Sequence, residues 1–513
     1  MLFHSGPFLF GFLPAVLFGY FIAHRVRGNA ALVWLIAASL FFYGWWNPAY
    51  LWVIIASVVF NFAAGLLLRA KRKLWLLIAA IGANLVMLGY FKYLGFFTEI
   101  ASSLLHEDLR LGAIILPLGI SFFTFQQISY LVDAYNGRTK TNTFVEYALF
   151  VTFFPHLIAG PIVHHLEILP QLVAMKNSKS LAKYDLAVGL AMFLVGLFKK
   201  AVIADHLDSY TVPMFAAAED QAVALTFVEA WSGALSYALQ IYFDFSGYSD
   251  MAIGLARLFG IRFPVNFESP FKASSMIDFW QRWHITMTRF FMGYVYNPIV
   301  AHLVRLRAAR GLATSQRILA TPGPFVTLVA GPILLTMFLV GLWHGGAWKF
   351  VAFGLLHGIY LIVNHAWRLV KSRMDGKVGA SSVFARIFSW GLTFAAVVVG
   401  FVLFRAQTLT GATNVILGMT GLNGRLALAN FNGLPELGWI AVGLIIVLAL
   451  PTTQWWAAKM TAFCDSLTSS GDAKQGRQFA VDALLFFSLG FAYMAILPFF
   501  SKVEVQPFIY FQF

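Results

Sequence analysis

Charge is the scarcest commodity in this 513-residue chain: only 11% of residues are Asp, Glu, Lys or Arg, against about 25% in an average soluble domain. No ordinary water-facing surface can be built from that. Cysteine is scarcer still, with Cys464 standing alone, which excludes an intrachain disulfide and any metal site made of several thiolates. There is no HExxH pair, no Cys/His cluster at zinc spacing, no P-loop, no dinucleotide fingerprint between strand and helix, and no GxSxG elbow. Recognisable soluble cofactor modules are therefore missing, and neither a bound metal nor a bound cofactor is expected. Acidic residues are few, 22 against 36 basic ones, for a net charge of +14. The cations sit in short clusters between apolar stretches, where the positive-inside rule accounts for them, and no basic stripe or stacking module points to nucleic acid.

What the chain has instead is apolar sequence: 60% hydrophobic, 17% aromatic, with a mean hydropathy of +0.75. Stretches of the ~20 residues needed to cross a bilayer recur from end to end. The chain reads as an all-α, multi-pass membrane protein, one domain over 1–513 with no appended soluble domain. Candidate spans are 7–23, 29–46, 49–68, 74–97, 144–163, 186–204, 222–243, 325–343, 347–366, 385–404, 436–450 and 480–500. Two interrupted stretches, 112–132 and 276–300, carry Gly, Pro or charge and suit re-entrant helices. The first span has no preceding cation and no cleavage site, so it reads as an uncleaved span. Arg25 and Arg27, then Arg69, Lys71, Arg72 and Lys73, follow alternate spans, placing those loops in the cytoplasm and the Trp45-Trp46-Asn47-Pro48 turn outside. Cys464 falls in a polar loop, 464–478.

An ionisable residue at mid-bilayer costs ~2.5–3.5 kcal/mol on insertion scales, so function is the first hypothesis for it. Three stretches qualify. In Trp343-His344-Gly345-Gly346-Ala347-Trp348, at the junction of two apolar spans, the glycines allow close approach and a neutral imidazole could serve as general base. The plainer alternative is a helix-end histidine bonded to a carbonyl. In Asp278-Phe279-Trp280-Gln281-Arg282-Trp283-His284, Trp280 and His284 share one face of a helix and Arg282 points elsewhere; spacing alone favours an interfacial amphipathic helix. In Asp244-Phe245-Ser246-Gly247-Tyr248-Ser249-Asp250, the two carboxylates could bind a cation, hold the basic 278–284 helix, or cap a helix starting near Ser249. Pairing and capping are favoured over catalysis.

Taken together these stretches resemble the membrane-bound O-acyltransferase family, and within it the alginate O-acetylase (AlgI-type) branch. Leu116-Pro117-Leu118-Gly119-Ile120-Ser121-Phe122-Phe123-Thr124-Phe125-Gln126, Phe154-Pro155-His156-Leu157-Ile158-Ala159-Gly160-Pro161-Ile162, Phe404-Arg405-Ala406 and the aromatic tail 508–513 add to the match, which runs from about residue 40 to the end. The resemblance implies a ring of about 11–13 transmembrane helices, with re-entrant or amphipathic helices, around a central funnel. It places His344 at the family's histidine, a catalytic base or acyl relay, and His284 at a second histidine facing the same cavity. Trp343, Trp283, Asp244, Asp250, Gln126 and Arg282 become candidates for lining that cavity or binding substrate. The implied donor is cytoplasmic acetyl-CoA, the implied acceptor an extracytoplasmic polysaccharide such as alginate, cellulose or peptidoglycan, and the implied partner a periplasmic acetyltransferase-type protein, all at the bacterial inner membrane. The sequence departs from the family where His164-His165 follow Val163, in place of a basic residue and an aromatic, and where Tyr294-Val295-Tyr296-Asn297-Pro298-Ile299 lacks the usual glycine pair. Two rivals stand beside this reading: a proton-coupled transporter or flippase, and a family member that transfers D-alanine to teichoic acid.

Overall fold

The computed structural model describes residues 1–26, 29–109, 114–139, 142–177, 183–374, 382–424, 429–466, 490 and 508–509. Every regular element among them is helical. Seven helices are long and apolar enough to cross a bilayer: Pro7–Arg25, Pro48–Lys71, Leu74–Leu105, Asp185–Ala218, Pro322–His344, Trp348–Lys371 and Val383–Arg405. Leu434–Ala449 and Thr453–Phe463 would make an eighth, bent by 44°. The chain is thus an all-α, multi-pass membrane protein.

The other expected spans depart from the apolar count for local reasons. Ala30–Gly44 has 15 residues, fewer than the ~20 a perpendicular span needs. The 144–163 stretch divides into Phe144–Thr152 and the single turn Phe154–Leu157, because Pro155 and Pro161 interrupt the ladder. The 222–243 stretch is the first half of one 32-residue helix, Phe227–Leu258, in which Glu229, Ser232, Ser236 and Gln240 dilute the apolar content. The 480–500 stretch, Gly490 excepted, lies outside the described residues, as do 467–478 and 510–513. Cys464 belongs to a helix, Thr453–Ser466, rather than to the start of a loop.

The described residues form two compact units. The first comprises 1–202, 243–265 and 452–512, the second 203–242 and 266–451. In the first, α1 (Leu51–Lys71), α2 (Leu74–Leu88) and α3 (Ile120–Tyr135) pack together. Nearly the whole of α3 is buried, polar residues from Ser121 to Asp133 included. Polar pairs cross the three-helix contact: Ser57 Oγ on α1 donates to Gln127 Oε1 on α3 at 3.1 Å, and Asn84 Nδ2 on α2 donates to Asn61 Oδ1 on α1 at 2.7 Å. Such amide pairs hold membrane helices together where lipid offers no partner. Helix α4 (Lys183–Phe198) meets the later part of α5 (Phe227–Leu258) at Gly189, Gly196, Gly247 and Gly254. A Cβ on any of the four would lie within about 3 Å of backbone on the facing helix. The small residues set the close approach that dispersion requires.

The second unit is organised on a helical hairpin, α8 (Gly331–His344) and α9 (Trp348–Met374), whose turn is the Gly345-Gly346-Ala347 segment. A Cβ on Gly341 would collide with the Phe350 carbonyl, and one on Gly354 with the Met337 carbonyl, so the two helices touch backbone to backbone. Two short helices, α6 (Met276–Arg282) and α7 (Ile285–Phe291), and the long α10 (Val383–Arg405) complete the surroundings of that turn.

Candidate functional site

His344 is the last residue of α8 and is 5% exposed. Aromatic rings enclose its imidazole: Phe404 at 4.9 Å, Phe353 at 6.0 Å and Phe350 at 6.4 Å between centroids, with Trp343 beside it at 4.8 Å. The other face of this arrangement belongs to His284, whose ring lies 5.7 Å from that of Trp343. Trp343 therefore touches both imidazoles, and the two histidines expected to face one cavity are joined through a single indole.

His284 is fully buried and sits between α6 and α7 with φ 44° and ψ 51°. A non-glycine residue in this left-handed region is uncommon and costs on the order of 1–3 kcal/mol. Asn266, 18 residues upstream, holds it there. The Asn266 carbonyl accepts from Ile285 N–H at 2.9 Å, and its side-chain Oδ1 accepts from Thr286 Oγ1 at 2.9 Å. The same Oδ1 is 3.1 Å from His284 Nδ1. An amide oxygen can only accept, so Nδ1 carries the proton and Nε2 is the basic nitrogen. Burial pushes the His284 pKa down to about 3, since an imidazolium loses its hydration there. The ring is neutral, as a general base or acceptor must be.

The expected single helix through Trp280 and His284 is thus two helices, and the i, i+4 relation between them is lost. Trp283 leaves α6 with extended backbone, φ −99° and ψ 126°. Its ring packs against Phe401 at 5.0 Å, Phe267 at 5.1 Å and Phe279 at 5.7 Å, forming the wall behind His284. Arg282 donates to Asp278 Oδ1 at 2.6 Å, an i, i+4 pair at the partly exposed end of α6.

The other three expected residues belong to the first unit, each with partners of its own. Gln126 Nε2 on α3 lies 3.2 Å from His156 Nδ1. Asp244 Oδ1 forms an ion pair with Lys200 Nζ at 2.6 Å, and its Oδ2 accepts from Ile509 N–H at 3.0 Å. Asp250 accepts from Lys199 Nζ at 2.6 Å and from the Gln454 amide. Both carboxylates are paired, Asp250 with Lys199 and Asp244 with Lys200. The expected cap is not formed: α5 runs unbroken through Asp244 and Asp250, so no helix begins at Ser249.

Sequence reasoning passed over two residues. Asn266 belongs to no motif, and only the fold discloses its part. His357 lay in plain view, an ionisable residue inside an expected span. It is fully buried on α9, 4.5 Å from Phe353 and 5.4 Å from Trp280 between ring centroids. Among the described residues neither of its ring nitrogens has a hydrogen-bond partner. Phe353 touches both His357 and His344.

Residues 118–315 match the model of the membrane-bound O-acyltransferase family, a range that holds His284 and Asn266. The chain is 39% identical to a peptidoglycan O-acetyltransferase of Helicobacter pylori, over 83% of this chain and 80% of that one. It is 33% identical to a probable alginate O-acetylase of Azotobacter vinelandii across the full length of both. A teichoic acid D-alanyltransferase of Streptococcus thermophilus is 27% identical over 50% of this chain and 59% of its own.

Proposed function

Since this chain belongs to the membrane-bound O-acyltransferase family, and is with it an O-acyltransferase, we propose that it takes an acetyl group from cytoplasmic acetyl-CoA and passes it toward hydroxyls of an extracytoplasmic polysaccharide at the bacterial inner membrane. The observation that carries this reading is the pair of buried histidines flanking Trp343, one of them with its basic nitrogen fixed by Asn266. Two relatives that the chain matches over about four fifths or more of their length are named as a peptidoglycan O-acetyltransferase and a probable alginate O-acetylase, and either glycan is a suitable acceptor. The acceptor oxygen attacks the thioester carbonyl carbon while an imidazole nitrogen, at His344, takes the hydroxyl proton. The carbon–sulfur bond breaks, and the imidazolium returns the proton to the departing CoA thiolate. His284, neutral and oriented, lies across Trp343 from that event and supports it. A separate periplasmic acetyltransferase-type protein completes delivery to the polymer.

The test is free CoA released from acetyl-CoA by detergent-purified protein. A positioned base contributes about 10²–10⁴-fold, so His344→Ala is expected to lower release by at least about a hundredfold at unchanged unfolding temperature. Equal release by the variant would remove His344 from the chemistry. D-alanine transfer is the second reading, favoured by the D-alanyltransferase likeness over half the chain. Transfer from carrier-bound D-alanine with acetyl-CoA left intact would establish it.

A further inference from the structure

Asp133, His164 and His165 come together in the first unit. Asp133 lies near the end of α3 and is 1% exposed; His164 and His165 open the helix His165–Asn177. His164 Nε2 is 3.2 Å and His165 Nε2 3.8 Å from the same carboxylate oxygen, Asp133 Oδ2. One ligand atom from each of the three residues falls within 4.8 Å of the others. From this geometry we infer that Asp133, His164 and His165 form a binding site for a divalent transition cation of the Zn²⁺ type.

With metal–ligand bonds of about 2.0–2.2 Å, the donors of a tetrahedral site stand about 3.3–3.5 Å apart, and the two Asp133 distances bracket that spacing. Two borderline imidazoles with one harder carboxylate suit Zn²⁺, Co²⁺ or Ni²⁺, whereas Ca²⁺ and Mg²⁺ call for oxygen-rich shells. The surroundings provide an outer layer. Arg138 Nη1 lies 3.7 Å from Asp133 Oδ1, which turns Oδ2 toward the histidines, and the rings of Tyr130 and Phe150 wall His165. The His164 side chain is 22% exposed, giving the ion a way in and leaving a fourth position for water. Bound there, the ion would brace the end of α3 against the helix that His165 opens. Asp133 lies 31 residues before His164, so no ligand spacing in the sequence discloses the set, and the expectation of no metal came from such spacings.

Full-length protein without a polyhistidine tag, stripped with chelator and desalted in detergent, is titrated with Co²⁺. One equivalent is expected to give the visible d–d bands of nitrogen and oxygen coordination, and Zn²⁺ to abolish them. Losing one ligand should weaken binding at least as much as losing an outer-layer partner does, about 10–100-fold. His164→Ala is thus expected to weaken Co²⁺ at least tenfold, and His164→Ala/His165→Ala to lose the bands, while His106→Ala, at an exposed histidine, leaves them unchanged. If the double variant fails to fold, the partly exposed His164→Ala carries the comparison. Absence of the one-equivalent bands in the wild type, or Co²⁺ affinity unmoved by His164→Ala, would reduce the cluster to a histidine–aspartate ion pair and overturn the site.

Discussion

Asn266 performs two tasks with one oxygen. By accepting from Thr286 and from His284 Nδ1 it fixes both the backbone that presents His284 and the tautomer of the ring. Asn266→Leu, which keeps the branching at Cγ but cannot accept, frees the imidazole to exchange tautomers. CoA release should fall by at least about tenfold, part of the 10²–10⁴-fold a positioned acid–base group supplies. A loss in kcat at near-constant KM would separate misplaced chemistry from lost substrate binding. Asn266→Asp retains the acceptor and should keep more activity than Asn266→Leu. The reverse order would take Asn266 out of the positioning role.

At the scale of elements, the instructive departure is the break between α6 and α7. The pattern from Asp278 to His284 has the aromatic spacing of one amphipathic helix, and within six residues that reading is sound: Asp278 and Arg282 form the i, i+4 pair such a helix predicts. The helix stops because a partner distant in sequence takes over its backbone groups. Glu268 N–H donates to the Arg282 carbonyl at 3.0 Å and Ile285 N–H donates to the Asn266 carbonyl at 2.9 Å. No local pattern encodes a competitor 14 to 19 residues away, whereas the chemistry-bearing histidines were legible because charge and imidazole are expensive in apolar sequence. The left-handed backbone at residue 284 gives a direct test. His284→Gly relieves it and should fold as well as the wild type while losing CoA release. His284→Val sets a β-branched residue in the same region and should unfold at a lower temperature than His284→Gly, by on the order of 1–2 kcal/mol. Equal stability of the two would mean the left-handed geometry imposes no cost. The junction of α4 and α5 makes a second case. Lys200 and Asp244 are both nearly inaccessible, and breaking one side of a buried pair costs about 3–5 kcal/mol. Lys200→Met should therefore lower the unfolding temperature sharply. Lys200→Met/Asp244→Asn should recover most of the loss, since Asn still accepts from Ile509 N–H.

Across the whole molecule, apolar length and basic loops state which segments meet lipid and which side the loops face, and seven of the expected spans correspond to helices of sufficient length and hydropathy. Reading hydropathy alone overstates the rest, because a helix such as Phe144–Thr152 is buried by protein and is as apolar as a span for that reason. Sidedness follows from cation placement. Arg69, Lys71, Arg72 and Lys73 cluster at the end of Pro48–Lys71, and Lys and Arg close to span ends favour the cytoplasm. The helix starts one residue after Asn47, in a turn without any cation, so the two positions are expected on opposite sides of the bilayer. With Cys464 changed to Ser, a cysteine at Asn47 should react with a membrane-impermeant maleimide in cells whose outer membrane alone is opened. A cysteine at Lys73 should react only after the inner membrane is breached. That order puts the basic loops on the side where acetyl-CoA is made, as a cytoplasmic donor requires; the opposite order would turn the chain over and make cytoplasmic acetyl-CoA the wrong donor for those loops to meet.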